Sequence, residues 1–121
     1  MKLREICNIT MGQSPASSSY NDKGRGLAFF QGNADFGEKH PCVRVWCDAP
    51  EKIAQPGDIL ISVRAPVGAM NIAESVCCIG RGLAALTADA KMIDRNYLWY
   101  ALQSRKNELD RKSTGSTFNK S

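Results

Sequence analysis

The chain reads as one mixed α/β domain, α+β-like, in which a series of short strands precedes a single amphipathic helix. Three observations predict this. Asp58 to Val63 and Leu83 to Thr87 are dense in β-branched and apolar residues over strand-like lengths. Glycine, proline, asparagine and aspartate recur between such runs, as turns between strands require. Only the stretch beginning at Asp94 sustains helical spacing. At 121 residues the chain has room for one core but not for two full domains.

Leu3, Ile6 and Ile9 lie three apart, which predicts one helical turn leading into an extended segment. Gly12-Gln13-Ser14-Pro15 breaks it. Ala16 to Gly26 is rich in Ser, Asn, Asp, Lys and Gly around Tyr20, and reads as a long exposed loop of the kind that carries function on a rigid scaffold. Leu27 to Gln31 predicts a strand and Gly32 to Gly37 a second polar loop. Cys42 to Cys47 alternates around Val43, Val45 and Trp46 as a short strand, which Ala49-Pro50 interrupts. Pro56-Gly57 turns into the strand from Asp58 to Val63. Ala65-Pro66-Val67-Gly68 reverses the chain, and Ala69 to Ala73 returns.

Val76 to Ile79 and Leu83 to Thr87 flank Gly80-Arg81-Gly82, where paired glycines predict a bulge or backbone crossing with Arg81 aimed outward. Asp94 suits a helix N-cap, and Tyr97, Leu98, Ala101, Leu102 and Leu109 follow at helical spacing. The opposite face carries Arg95, Arg105, Lys106, Glu108, Arg111 and Lys112. That concentrates positive charge near the end of the chain.

Sixteen Lys and Arg against twelve Asp and Glu give a net charge of +4, a mild basic excess compatible with nucleic acid. No apolar run reaches the roughly 18 residues of a membrane span, and the N-terminus lacks a secretory core. A cytoplasmic protein without membrane partners is expected. Five cysteines without a Cys-x-x-Cys pair fit buried thiols rather than a disulfide framework or zinc knuckle. The alternative metal set is His40, Cys42 and Cys47 with Cys77 or Cys78, whose spacing matches no common structural zinc pattern.

An enzyme needs a nucleophile, a base and something to orient them. The chain has one histidine, no nucleophile elbow, no P-loop and no dinucleotide fingerprint. Asp58 with Asp35 or Glu38, completed by Lys39 or Lys52, is the residual possibility of a metal-dependent nuclease. An aspartate after Pro-Gly is more often a turn acceptor. DNA binding needs only positioned donors on a positive surface: Arg, Lys and hydroxyls for phosphates, Arg and amides for base edges. Gln13, Tyr20, Asn21, Lys23, Arg25, Gln31 and Asn33 in the two polar loops are the candidates, with Arg64, Arg81, Ser116, Thr117 and Lys120 at strand or helix exits. Each has a plainer reading. Arg64 and Arg81 can pair with edge carboxylates, Tyr20 and the Phe29-Phe30 pair can be core, and the cationic helix face can simply be solvated.

In order, Gly12-Gln13-Ser14-Pro15 with Tyr20-Asn21, Gly57-Asp58-Ile59-Leu60-Ile61-Ser62, Arg64-Ala65-Pro66-Val67-Gly68, Gly80-Arg81-Gly82-Leu83-Ala84 and Gly115-Ser116-Thr117-Phe118 span nearly the whole chain. Together they resemble the target recognition domain of a type I restriction-modification specificity subunit. The resemblance implies a non-catalytic reader of double-stranded DNA, built on a twisted, partly barrel-like sheet with peripheral helices. It implies modification (methyltransferase) and restriction (endonuclease) subunits as partners. No cofactor is expected in this chain, since S-adenosylmethionine, ATP and magnesium would be bound elsewhere.

Full specificity subunits resemble two such domains joined by long helices, each reading half of a split target. This chain shows one domain, without the second domain or the spacer helices, and it stops just after Gly115-Ser116-Thr117-Phe118. A truncated single recognition domain over residues 1–121 is therefore expected. The rival is a protein-interaction fragment of such a subunit that no longer reads DNA.

Overall fold

The alternation of side chains along the strands is what divides this molecule into layers. In the computed structural model, residues 3–65 and 67–112 are described, with side chains over 5–65 and 67–104. A one-turn helix α1 (Leu3–Ile6) runs directly into β1 (Cys7–Met11), so Ile9 belongs to a strand rather than to the helical turn. The remaining elements are β2 (Tyr20–Asn21), β3 (Leu27–Phe30), β4 (Trp46–Cys47), β5 (Ile53–Ala54), β6 (Ile59–Ser62), β7 (Met70–Ile72), β8 (Cys77–Ile79), β9 (Leu83–Ala88) and α2 (Arg95–Lys112).

They form two open sheets. The first has the order β1-β9-β6-β7 and is antiparallel throughout. The second has the order β2-β4-β3-β8-β5, mixed because β3 and β8 run parallel. The expected partly barrel-like sheet is thus resolved into two open sheets rather than a closed barrel, and one long helix serves as the periphery.

Between the sheets lie Phe30, Leu60, Ile79, Leu83 and Ala85, all buried. Their neighbours along each strand face outward into two further cores. Ile59 and Leu86 meet Leu98 of α2, with Trp99 and Leu102 packed around them. Phe29, Cys47 and Cys78 form the outer core of the second sheet beneath Tyr20 and Val45. Both faces of β6, β8 and β9 are therefore covered, which is why their sequences are continuous apolar runs rather than alternating ones. Each such Leu, Ile or Phe contributes about 1.5–3 kcal/mol on burial.

Helix α2 starts as expected: Asp94 Oδ2 accepts the backbone N–H groups of Asn96 and Tyr97 at 3.1 and 3.3 Å. The expected apolar face needs one correction. Tyr97 is 67% exposed, and Trp99, packed against the buried Leu98, belongs to the inner face instead. The cationic residues expected at 105–112 lie outside the described side chains. Among the described residues, no helix is long and apolar enough to cross a membrane.

The expected strand from Cys42 to Cys47 is only two residues long, since Cys42 N–H instead donates to Asp35 O at 2.8 Å. The loop from Gly37 to His40 covers the free edge of β7. Ile72 N–H donates to Lys39 O at 2.8 Å, and buried Asn71 both accepts from Gly37 N and donates to Gly37 O, at 2.9 and 3.1 Å.

Candidate nucleic-acid interface

Because β8 belongs to one sheet and β9 to the other, Gly80-Arg81-Gly82 carries the chain between them. Of the two readings of this glycine pair, a crossing is observed. Gly80 N–H donates to Phe30 O at 2.8 Å and Gly82 N–H to Gln31 O at 3.0 Å, while Gly82 O accepts from Val63 N at 3.0 Å. From the other side, Gly12 N–H donates to Leu83 O at 2.9 Å and Gln13 N–H to Ile79 O at 3.0 Å. Ser14 Oγ accepts from Arg81 N at 3.1 Å. The approach is too close for side chains: a Cβ on Gly82 would stand 2.6 Å from Gln31 O, and one on Gly12 only 1.9 Å from Gly80 O.

The crossing opens onto a cleft of ≈ 210 Å³ lined by Gln31, Asn33, Ser62, Arg64 and Arg81. Gln31 follows β3, Asn33 begins the 3-10 turn Asn33–Asp35, Arg64 follows β6, and Arg81 sits within the crossing. Backbone hydrogen bonds hold these segments together, so their side chains need not do so. Gln31, Arg64 and Arg81 are exposed and Asn33 is half-buried. The alternative of edge ion pairs is not realised: among the described residues the one salt bridge is Arg44–Asp35, and neither Arg64 nor Arg81 has a carboxylate in range.

A second cleft, of ≈ 340 Å³, lies on the other side of Gln31 and Asn33. Tyr20, Phe29, Ala34 and Val45 give it apolar walls, and Asp35 and Arg44 a polar end. Sequence reasoning did not select Arg44 or Ser62 as functional. Arg44 stands between Val43 and Val45, and that alternation was the available signal. Ser62 is buried and donates from Oγ to Arg64 O at 2.7 Å, which fixes the exit of β6.

The other candidates separate. Tyr20 stacks on Phe29 with centroids 4.8 Å apart and donates its hydroxyl to Pro15 O at 2.9 Å. Burial, followed by the nearby thiols Cys47 and Cys78, raises the pKa of its phenol, partly opposed by Arg81. Asn21 spends its amide on its own turn: Oδ1 accepts from Lys23 N and Arg25 N, both at 3.0 Å, and Nδ2 donates to Arg25 O at 2.9 Å. Lys23 and Arg25 remain exposed on that loop and line neither cleft. Gln13 donates to Glu51 Oε1 at 2.8 Å and lines neither cleft. Ser116, Thr117 and Lys120 lie outside the described residues.

Asp58, Asp35 and His40, three of the side chains named for metal or nuclease chemistry, are engaged elsewhere. Asp58 is buried and accepts from Gln55 N at 2.8 Å, the turn-acceptor role. Asp35 holds Arg44 and the Gln31 N–H. His40 Nδ1 lies 2.8 Å from Ile72 O, a carbonyl that only accepts. Burial pushes the Cys77 and Cys78 thiols up to about 12 and about 11, so both stay protonated at neutral pH. Among the described residues no three His, Cys, Asp or Glu side chains are grouped to hold a metal ion.

A family model of the type I restriction modification DNA specificity domain matches residues 1–121. The chain belongs to that family. Such specificity domains are non-catalytic. The domain is 44% identical over 110 residues to a Methanocaldococcus jannaschii protein provisionally named the type I restriction enzyme MjaX specificity subunit, covering 91% of this chain and 26% of that protein.

Among solved structures, the HsdS subunit from Thermoanaerobacter tengcongensis matches with a TM-score of 0.85 at 57% identity, over 89% of this chain and 27% of that one. A chain from a structural study of type I R-M complex assembly and conformational transition matches at 0.86 and 58% identity, over 90% and 28%. The S subunit from M. genitalium, at 16% identity and a TM-score of 0.66, shares the fold. The specificity domain thus spans about a quarter of the length of these relatives.

Proposed function

We propose that this specificity domain, residues 1–121, is a single target recognition domain that binds double-stranded DNA sequence-specifically. It reads one half of a bipartite target and directs partner modification and restriction subunits to it, with methylation and cleavage carried out by those partners in the cytoplasm. One observation carries this reading. Gln31, Asn33, Arg64 and Arg81, from three distant stretches of sequence, meet in one cleft whose backbone is already hydrogen-bonded.

Two amides beside two guanidinium groups match the two tasks of a DNA reader. Amides form paired bonds with the N6 and N7 edge of adenine, while guanidinium groups take phosphates or the O6 and N7 edge of guanine. A rim tied by backbone hydrogen bonds holds these groups in place before DNA arrives, which lowers the ordering cost of binding.

Selection from a random duplex pool followed by sequencing should enrich a short half-site. On that site Gln31→Ala and Asn33→Ala should lose affinity that they keep on a scrambled duplex. A folded chain that enriches nothing, and binds DNA no better than its cleft variants, would favour the interaction-fragment reading.

A further inference from the structure

Asp35 places a carboxylate at the polar end of the second cleft, beside the Gln31 and Asn33 rim of the surface proposed to face a polyanion, where an uncompensated negative charge would oppose binding. It lines that cleft together with Arg44, next to the rim that the two clefts share. Its Oδ2 accepts the Gln31 backbone N–H at 3.0 Å, and its Oδ1 is ion-paired with Arg44. The Asp35 side chain is 12% exposed against 65% for Arg44, so the acid is sunk beneath the base that neutralises it.

Its backbone closes the same turn. Asp35 N–H donates to Gly32 O at 3.2 Å, Phe36 N–H to Asn33 O at 3.0 Å, and Asp35 O accepts from Cys42 N at 2.8 Å. Gln31 is held from both sides, since its carbonyl accepts from Gly82 N. The arrangement resembles a capping box, in which an acid inside a helical turn reaches back to an N–H at its start.

We propose that Asp35 is a positioning residue for sequence reading: it fixes Gln31 and Asn33 as one rigid unit, while Arg44 cancels the charge this requires. The inference rests on the DNA-reading function proposed above. It assigns Asp35 no contact with DNA. The acceptor oxygen confers discrimination, whereas its charge only weakens general DNA affinity.

The test compares Gln31→Ala, Asn33→Ala, Asp35→Ala and Asp35→Asn on the enriched half-site and on a scrambled duplex, across a salt series. Asp35→Ala should lower the specific-to-scrambled affinity ratio about tenfold or more, as expected for losing a base contact. Its affinity for the scrambled duplex should not fall, because a negative charge has been removed. Asp35→Asn keeps an acceptor for the Gln31 N–H without the charge, and should retain the parent ratio. An unchanged ratio in folded Asp35→Ala, or equal losses on both duplexes in step with a lower Tm, overturns the positioning role.

If Asp35→Ala does not fold, amide hydrogen exchange in the unaltered chain decides. The Gln31 N–H should exchange slowly although the residue is exposed, and exchange at the unstructured rate overturns the proposal. The parent reading fails separately: Gln31→Ala and Asn33→Ala would then both bind as the parent does. Loss in those two variants with none in Asp35→Ala would sink the positioning role alone.

Discussion

The cleft at the sheet crossing and the loop at residues 21–25 have similar polar compositions and opposite hydrogen-bond economies. In the cleft, backbone groups of Phe30, Gln31, Val63, Gly80 and Gly82 bond to one another, leaving the side chains of Gln31, Arg64 and Arg81 projecting from a fixed frame. In the loop, strand pairing ends at Asn21, the last residue of β2, and Asn21 turns its amide back on residues 23–25. A polar residue is available to a ligand only when something else has satisfied its neighbourhood. Composition alone does not distinguish the two cases.

The largest expected effect breaks the frame. Gly12→Ala would place a Cβ 1.9 Å from Gly80 O, a backbone atom that cannot swing aside. A loss on the order of 3 kcal/mol or more follows from forcing two chain segments apart in a packed region. Denaturant unfolding of the variant checks it. A midpoint near that of the parent would mean that the crossing is looser than its hydrogen bonds indicate.

The next effect distinguishes side chains within the cleft. Gln31→Ala or Asn33→Ala should cost about 1–3 kcal/mol on the preferred site and little on a scrambled duplex. Arg64→Ala or Arg81→Ala should weaken both duplexes alike and lower the slope of log affinity against log salt by about one. Binding curves at several salt concentrations, with melting curves for each variant, test this. Base-specific losses from the arginines would reverse the assignment of roles.

How far the sequence revealed these features depended on the range of the physics involved. Leu27 to Gln31, Asp58 to Val63 and Leu83 to Thr87 were legible because burial on both faces writes continuous apolar runs. Ile53–Ala54 was not, since two residues carry no periodicity, and β5 exists only by pairing with Cys77 and Cys78. Tyr97 satisfied helical spacing but lies one position outside the stripe centred on Leu98. Arg64, Arg81, Gln31 and Asn33 could each be picked out at strand exits. Their convergence could not, because it depends on long-range backbone bonds that join Gly80 and Gly82 to Phe30 and Gln31, and Val63 to Gly82.

The loop side of the comparison predicts a smaller and differently distributed change. Asn21→Ala removes three hydrogen bonds that organise residues 21–25. Each is solvent-exposed, so about 1 kcal/mol in total is expected, near the value of one buried bond. Thermal melting measures it. If instead the variant loses sequence discrimination with its Tm intact, Asn21 reads DNA and the contrast with the cleft disappears.

The smallest effect concerns the two cations that this loop displays. Lys23 and Arg25 are exposed and line neither cleft, so on the proposed DNA-reading function they are expected to contact phosphate rather than bases. Lys23→Ala and Arg25→Ala should each leave the specific-to-scrambled ratio unchanged and reduce affinity on both duplexes by a few tenths to about 1 kcal/mol at moderate salt. That reduction should fade as salt rises, since an exposed charge acts over a Debye length of roughly 8 Å at 0.15 M. The cleft amides should show no such fading, because shape and hydrogen bonding set their contribution. A salt-independent loss from Lys23→Ala or Arg25→Ala would place the loop inside the reading surface, beside Gln31 and Asn33.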